Sequence, residues 1–136
     1  YIATGDADRA RSIVSRLLDA KRAAADAEGA GPQAKNEYAW SLLTCDPVDL
    51  RDPATALEYA RSANEMTGFE DPTFLDSLAL AHHRTGDTAG AIEDFRAYVD
   101  ARPPGHDVAT ERRDWIEALE RGENPLTLLA LAEIAF

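Results

Sequence analysis

The chain has 136 residues, 45% of them hydrophobic and 29% charged, which is enough for one domain with a real core. Its formal net charge of -11 argues against binding nucleic acid through phosphates or docking on an anionic membrane surface, both of which need a basic face. One cysteine, Cys45, excludes an intrachain disulfide and a zinc framework and suits a reducing, cytoplasmic setting.

Alanine is abundant and β-branched residues are sparse, so helices are expected throughout and no period-two strand pattern is found. A first helix is predicted from about Asp6 to Glu28, with Ala10, Ile13, Val14, Leu17 and Leu18 as its buried stripe and Ala24 as its extension. Gly29-Ala30-Gly31-Pro32 ends it. A second covers about Gln33 to Cys45, with Tyr38, Ala39, Leu42 and Leu43 inward. Pro47 and Pro53 bias their preceding residues away from the helical region, which makes Asp46–Asp52 a loop.

Pro53 opens a third helix with Asp52 as its cap, and Gly68 stops it after Thr67. Leu57, Ala60 and Ala63 face inward. Asp71-Pro72 repeats the same start for a fourth helix, which presents Phe74, Leu75, Leu78, Ala79 and His82. At Thr85-Gly86-Asp87 this helix ends, reverses at a glycine able to take the left-handed conformation, and hands over to a fifth helix capped by Asp87. Ala91, Ile92, Phe95 and Tyr98 form the fifth stripe, and Pro103-Pro104-Gly105 breaks it. A sixth helix starts at Asp107 or Thr110, buries Trp115, Ile116 and Leu119, and stops at Gly122. The last segment, Leu126 to Phe136, is apolar nearly all round but too short to span a bilayer, which takes roughly 20 apolar residues.

Thr4-Gly5-Asp6 matches Thr85-Gly86-Asp87, and Ala10 and Val14 follow it as Ala91 and Phe95 follow Gly86. Ala56, Leu57 and Ala60 correspond to Ala91, Ile92 and Phe95, and Tyr38-Ala39 to Leu78-Ala79. Ala56 and Ala91 are 35 residues apart, and a self-similar period of this length marks a helical repeat array. In the unit from Pro72 to Pro103, Leu78, Ala79, Gly86, Ala91, Phe95 and Pro103 stand on positions that resemble the tetratricopeptide repeat signature. His82 replaces its usual Tyr, Leu75 its early Trp and Tyr98 its later Ala. Asn36-Glu37-Tyr38-Ala39-Trp40 through Asp52-Pro53 is similar to units found in large bacterial multidomain proteins.

The resemblance covers roughly residues 1–18 and 33–103. It implies an all-α, right-handed solenoid of antiparallel helix hairpins in a single domain. Residues 1–31 would be the second helix of a truncated unit plus linker, 32–68 a unit with a long turn, 69–103 the best-matched unit, and 104–136 capping helices. It further implies a non-enzymatic interaction module, part of a larger bacterial protein, that binds a peptide or partner protein in a concave groove. The groove candidates are Asn36, Trp40 and Leu43 on the second helix and Thr73, Asp76, Leu80, His83 and Arg84 on the fourth. Positions where some relatives clamp a peptide carboxylate hold Asp76, Ser77, Leu80, Asn36, Glu37 and Trp40. The basic residues of that clamp are missing.

Each candidate has a plainer reading. Trp40 is either a binding anchor or packed under the Pro47–Arg51 loop, and the other groove positions equally suit a solvated face. His82 and His83 point about 100° apart on a helix, so they form no chelating pair, and His82 suits core packing. Cys45 lies at a helix C-terminus beside Asp46, which disfavours a thiolate. No metal, cofactor or catalytic constellation is expected. For 126–136, packing on the sixth helix, continuation into further chain and a homo-oligomer interface all stay open. The last of these is the structural alternative, a self-association or spacer element.

Overall fold

The computed structural model describes residues 4–123. The expectations for 126–136 lie outside them. The described residues are all-helical: α1 Thr4–Asp26, α2 Pro32–Thr44, a 3-10 turn at Val48–Leu50, α3 Pro53–Thr67, α4 Pro72–Arg84, α5 Thr88–Asp100 and α6 Asp107–Glu120. Each helix packs on its sequence neighbour, and α2 also touches α4 across the chain of α3.

Short polar side chains set the helix starts. Asp52 accepts from Thr55 N at 3.1 Å, Asp71 from Thr73 N at 2.9 Å and Asp87 from Gly90 N at 2.8 Å. Each satisfies a backbone donor that has no intrahelical acceptor. The start of α6, which the sequence left between two positions, falls at Asp107, where His106 Nδ1 accepts from Ala109 N at 3.3 Å. At the other end of α2, Arg51 Nε donates to Cys45 O at 2.7 Å, a cation placed on the negative end of a helix.

The α4–α5 reversal forms as expected. Gly86 has φ 90°, and the amides of Gly86 and Asp87 donate to His83 O and His82 O, the last carbonyls of α4. The proposed counterpart at Thr4-Gly5-Asp6 does not: Gly5 lies inside α1, and its φ is not positive.

Alanines let the helices approach and large side chains fill the gaps between them. Ala56, Ala60, Ala79 and Ala91 are sealed, with Leu78, Phe95 and Val99 packed around them. Tyr38 meets Tyr59 edge-on at 4.8 Å between α2 and α3, and Phe95 meets Trp115 edge-on at 5.8 Å between α5 and α6. Asn64, fully buried on α3, donates from its amide to Ala60 O at 2.8 Å and to Phe74 O at 2.9 Å, tying α3 to α4.

The stripe expected to bury α1 is corrected. Ala10, Ile13, Leu17 and Ala24 are exposed, Val14 and Leu18 are half-buried, and Ala25 is the residue that enters the core. Among the described residues α1 packs chiefly on the shorter α2, and the row on the side turned away from that contact is exposed.

Candidate functional site

The eight groove candidates separate by burial. Leu43 at 1% and Leu80 at 0% exposure are core residues, not groove contacts. Both belong to the one core cluster. Asn36 is also buried, and its Oδ1 has no hydrogen-bond partner among the described residues.

Asp76 is committed elsewhere as well. Arg112 of α6 grips its carboxylate with two bonds, Nε to Oδ1 at 2.8 Å and a terminal nitrogen to Oδ2 at 2.7 Å. The guanidinium lies over the Trp115 ring at 3.9 Å and also donates to Glu111 at 2.8 Å. Burial pushes the Asp76 carboxyl up to about 7, outweighing the pull of Arg112 in the opposite direction. This ion pair, 36 residues apart in the chain, holds α6 on α4. Spacing along the sequence carried no sign of it, because both residues look like ordinary members of polar helix faces.

Trp40, Thr73, His83 and Arg84 remain open to solvent, fully or in part. Trp40 keeps one side against the core and the other outside. His83 Nδ1 lies 3.0 Å from Thr88 Oγ1, and burial lowers its pKa from the usual imidazole range. Arg84 Nε is buried without a hydrogen-bond partner among the described residues. The accessible remainder of the expected groove is therefore Trp40 on α2 with Thr73, His83 and Arg84 on α4.

His82 is neither a core residue with one satisfied nitrogen nor half of a chelating pair. It is held between two carboxylates, Nδ1 at 3.2 Å from Asp87 and Nε2 at 3.4 Å from Asp94. Asp94 is pushed up to about 6, chiefly by burial, with His82 pulling it back down. The reversal at Gly86 brings Asp87 onto the last turn of α4, which places this cluster inside the hairpin. Among the described residues no group of His, Cys, Asp and Glu is arranged to hold a metal ion. Cys45 has its thiol pKa raised by burial, despite the nearby Arg51 cation.

Asp76 is taken up by Arg112, His82 Nδ1 and Asp94 Oδ2 are buried without a hydrogen-bond partner among the described residues, and the groove candidates that stay accessible are Trp40, Thr73, His83 and Arg84. Compared with protein-family models, curated proteins and solved structures, the chain finds no match.

Proposed function

We propose that this chain is a non-enzymatic protein-interaction module, a stack of tetratricopeptide-like helix hairpins that binds a peptide or partner protein along the α2–α4 face. The observation that supports it most is the packing order. Helices α2 and α4 meet each other although α3 separates them in sequence, so the first helices of two successive hairpins share one surface. Trp40 on α2 and Thr73, His83 and Arg84 on α4 are the groove candidates that stay open to solvent, fully or in part. Aromatic and Arg side chains carry a large share of binding energy in protein interfaces. The net charge of -11 favours a protein over a nucleic acid, and no described helix is long and apolar enough to cross a membrane.

Pull-down with the Trp40→Ala, His83→Ala double variant tests the reading. Recovery of partners is expected to fall about tenfold, as for loss of a hot-spot aromatic, while circular dichroism stays unchanged. Full recovery by a correctly folded variant sinks the assignment of this face.

A further inference from the structure

The helix starts differ in the chemistry of their caps. Asp52, Asp71 and Asp87 accept through carboxylates at α3, α4 and α5, whereas α6 has an imidazole in that place, with His106 Nδ1 accepting from Ala109 N. A proton acts differently on the two kinds of acceptor. Carboxylates keep their acceptor oxygens down to about pH 4 in ordinary surroundings. A ring nitrogen accepts only while it is unprotonated, and both nitrogens of a charged imidazole are donors. Imidazoles change charge between about pH 5 and 8.

The bond to Ala109 N needs the neutral ring with its proton on Nε2. A proton added at Nδ1 sets one N–H against another. It also places a positive charge on the positive end of α6. Tyr98 of α5 meets the ring edge-on at 6.4 Å, and Arg102, just beyond α5, lies over the same tyrosine at 4.2 Å. Arg102 also donates to Glu70 O at 3.0 Å. Asp107, exposed in the first turn of α6, is the next residue in the chain. An added charge on the ring therefore has one cation and one solvent-screened carboxylate in its surroundings, and the lost hydrogen bond and the helix end decide the outcome.

We propose that His106 is a proton-operated cap: its neutral ring closes the start of α6, and acidification through the imidazole range opens it. Residue 106 also accepts at its carbonyl from Thr110 N at 2.9 Å and Thr110 Oγ1 at 3.0 Å, so the first turn of α6 is built on it. Arg112 follows two residues later, and a frayed start loosens the end of α6 from which it grips Asp76. The buried carboxyls act in the opposite direction, since Asp76 and Asp94 lend more stability on acidification. The opening is therefore read at the cap itself and not in the stability of the whole chain.

The test is amide hydrogen exchange of the 136-residue chain by NMR at about pH 7.5 and about pH 5, each rate being divided by the intrinsic rate at that pH. Protection of the Ala109 amide is expected to fall about fivefold on acidification, the effect of losing one cap. The Thr55 amide, bonded to the Asp52 carboxylate, should keep its protection. His106→Asn supplies a cap that takes up no proton in this range, and should leave Ala109 equally protected at both pH values. Ring 1H–15N spectra of the unaltered chain give a second readout: a proton on Nε2 at about pH 7.5, and an Ala109 amide shift that follows the ring as it charges. Ala109 protection that is the same at both pH values in the unaltered chain overturns the proposal. So does an equal fall in His106→Asn, or a ring proton on Nδ1 at about pH 7.5.

Discussion

Arg112 is the side chain whose loss should be felt most. It is 10% exposed and Asp76 14%, so the pair sits almost wholly out of water, joined by two short bonds and backed by the Trp115 ring. Taking two charges from water costs several kcal/mol per ion, and only good geometry repays it. With Arg112 gone, Asp76 keeps the desolvation that already raises its pKa and loses the cation that opposes it. Arg112→Ala is therefore expected to lower stability by about 3–5 kcal/mol in urea denaturation. Arg112→Met with Asp76→Leu, which removes both charges and keeps the volume, should recover most of that loss. A cost under about 1 kcal/mol for the single variant, the range of exposed surface pairs, would mean that the pair contributes no more than those do.

At the scale of the element, the α4–α5 hairpin shows two local rules in competition. Gly90 lies in the first turn of α5, where Ala normally gains about 1 kcal/mol over Gly. A Cβ there would lie 2.4 Å from Asp87 Oδ2 and 3.0 Å from His82 Nδ1. Alanine must push the Asp87 carboxylate aside, and that carboxylate is the α5 cap, a contribution of about 1 kcal/mol. Gly90→Ala alone should therefore change stability little, but in an Asp87→Ala background it should stabilise by about 1 kcal/mol. A double-mutant cycle by thermal denaturation checks this. Equal gains in both backgrounds would mean that the carboxylate moves away at no cost. The same hairpin shows what sequence makes legible. Asp-Pro and Gly-Asp junctions are local signals, and they place the starts of α3, α4 and α5 correctly, as the apolar spacing places Leu42, Leu78, Phe95 and Trp115 inside. The Arg112–Asp76 grip and the His82–Asp94 contact join residues that only the packed helices bring together. Helical spacing alone also does not tell that Leu43 and Leu80 join the core, or that one row of α1 is exposed.

Across the whole molecule, 25 acidic residues face 14 basic ones, and two of the acids are raised well above the carboxylate range. Asp76, facing Arg112, Glu111 and Asp71, is pushed up to about 7. Asp94, facing His82, Asp87, Glu93 and Arg61, is pushed up to about 6. In both, burial is the larger effect. A carboxyl with a raised folded pKa binds its proton more tightly in the folded chain than in the unfolded one. The stability it lends is then full below the unfolded value and is lost as pH rises through the folded one. For these two groups the loss runs from about pH 4 to about pH 7, the span between an ordinary carboxylate and Asp76. Self-repulsion of the net negative charge acts in the same direction. His83, with a lowered pKa, acts the opposite way: it binds protons more readily when unfolded, so it destabilises the fold below its ordinary range. Its shift comes from partial burial, and it offsets only part of the carboxyl effect. The chain is thus expected to be about 2–4 kcal/mol less stable near pH 7.5 than near pH 5, the reverse of a protein held by ionised acids. Asp94→Asn and Asp76→Asn should each flatten the profile, whatever they do to its height. Stability that rises from about pH 5 to about pH 7.5 in chemical denaturation would show that Arg112 and His82 outweigh burial, and that both carboxylates are ionised at little cost within the fold.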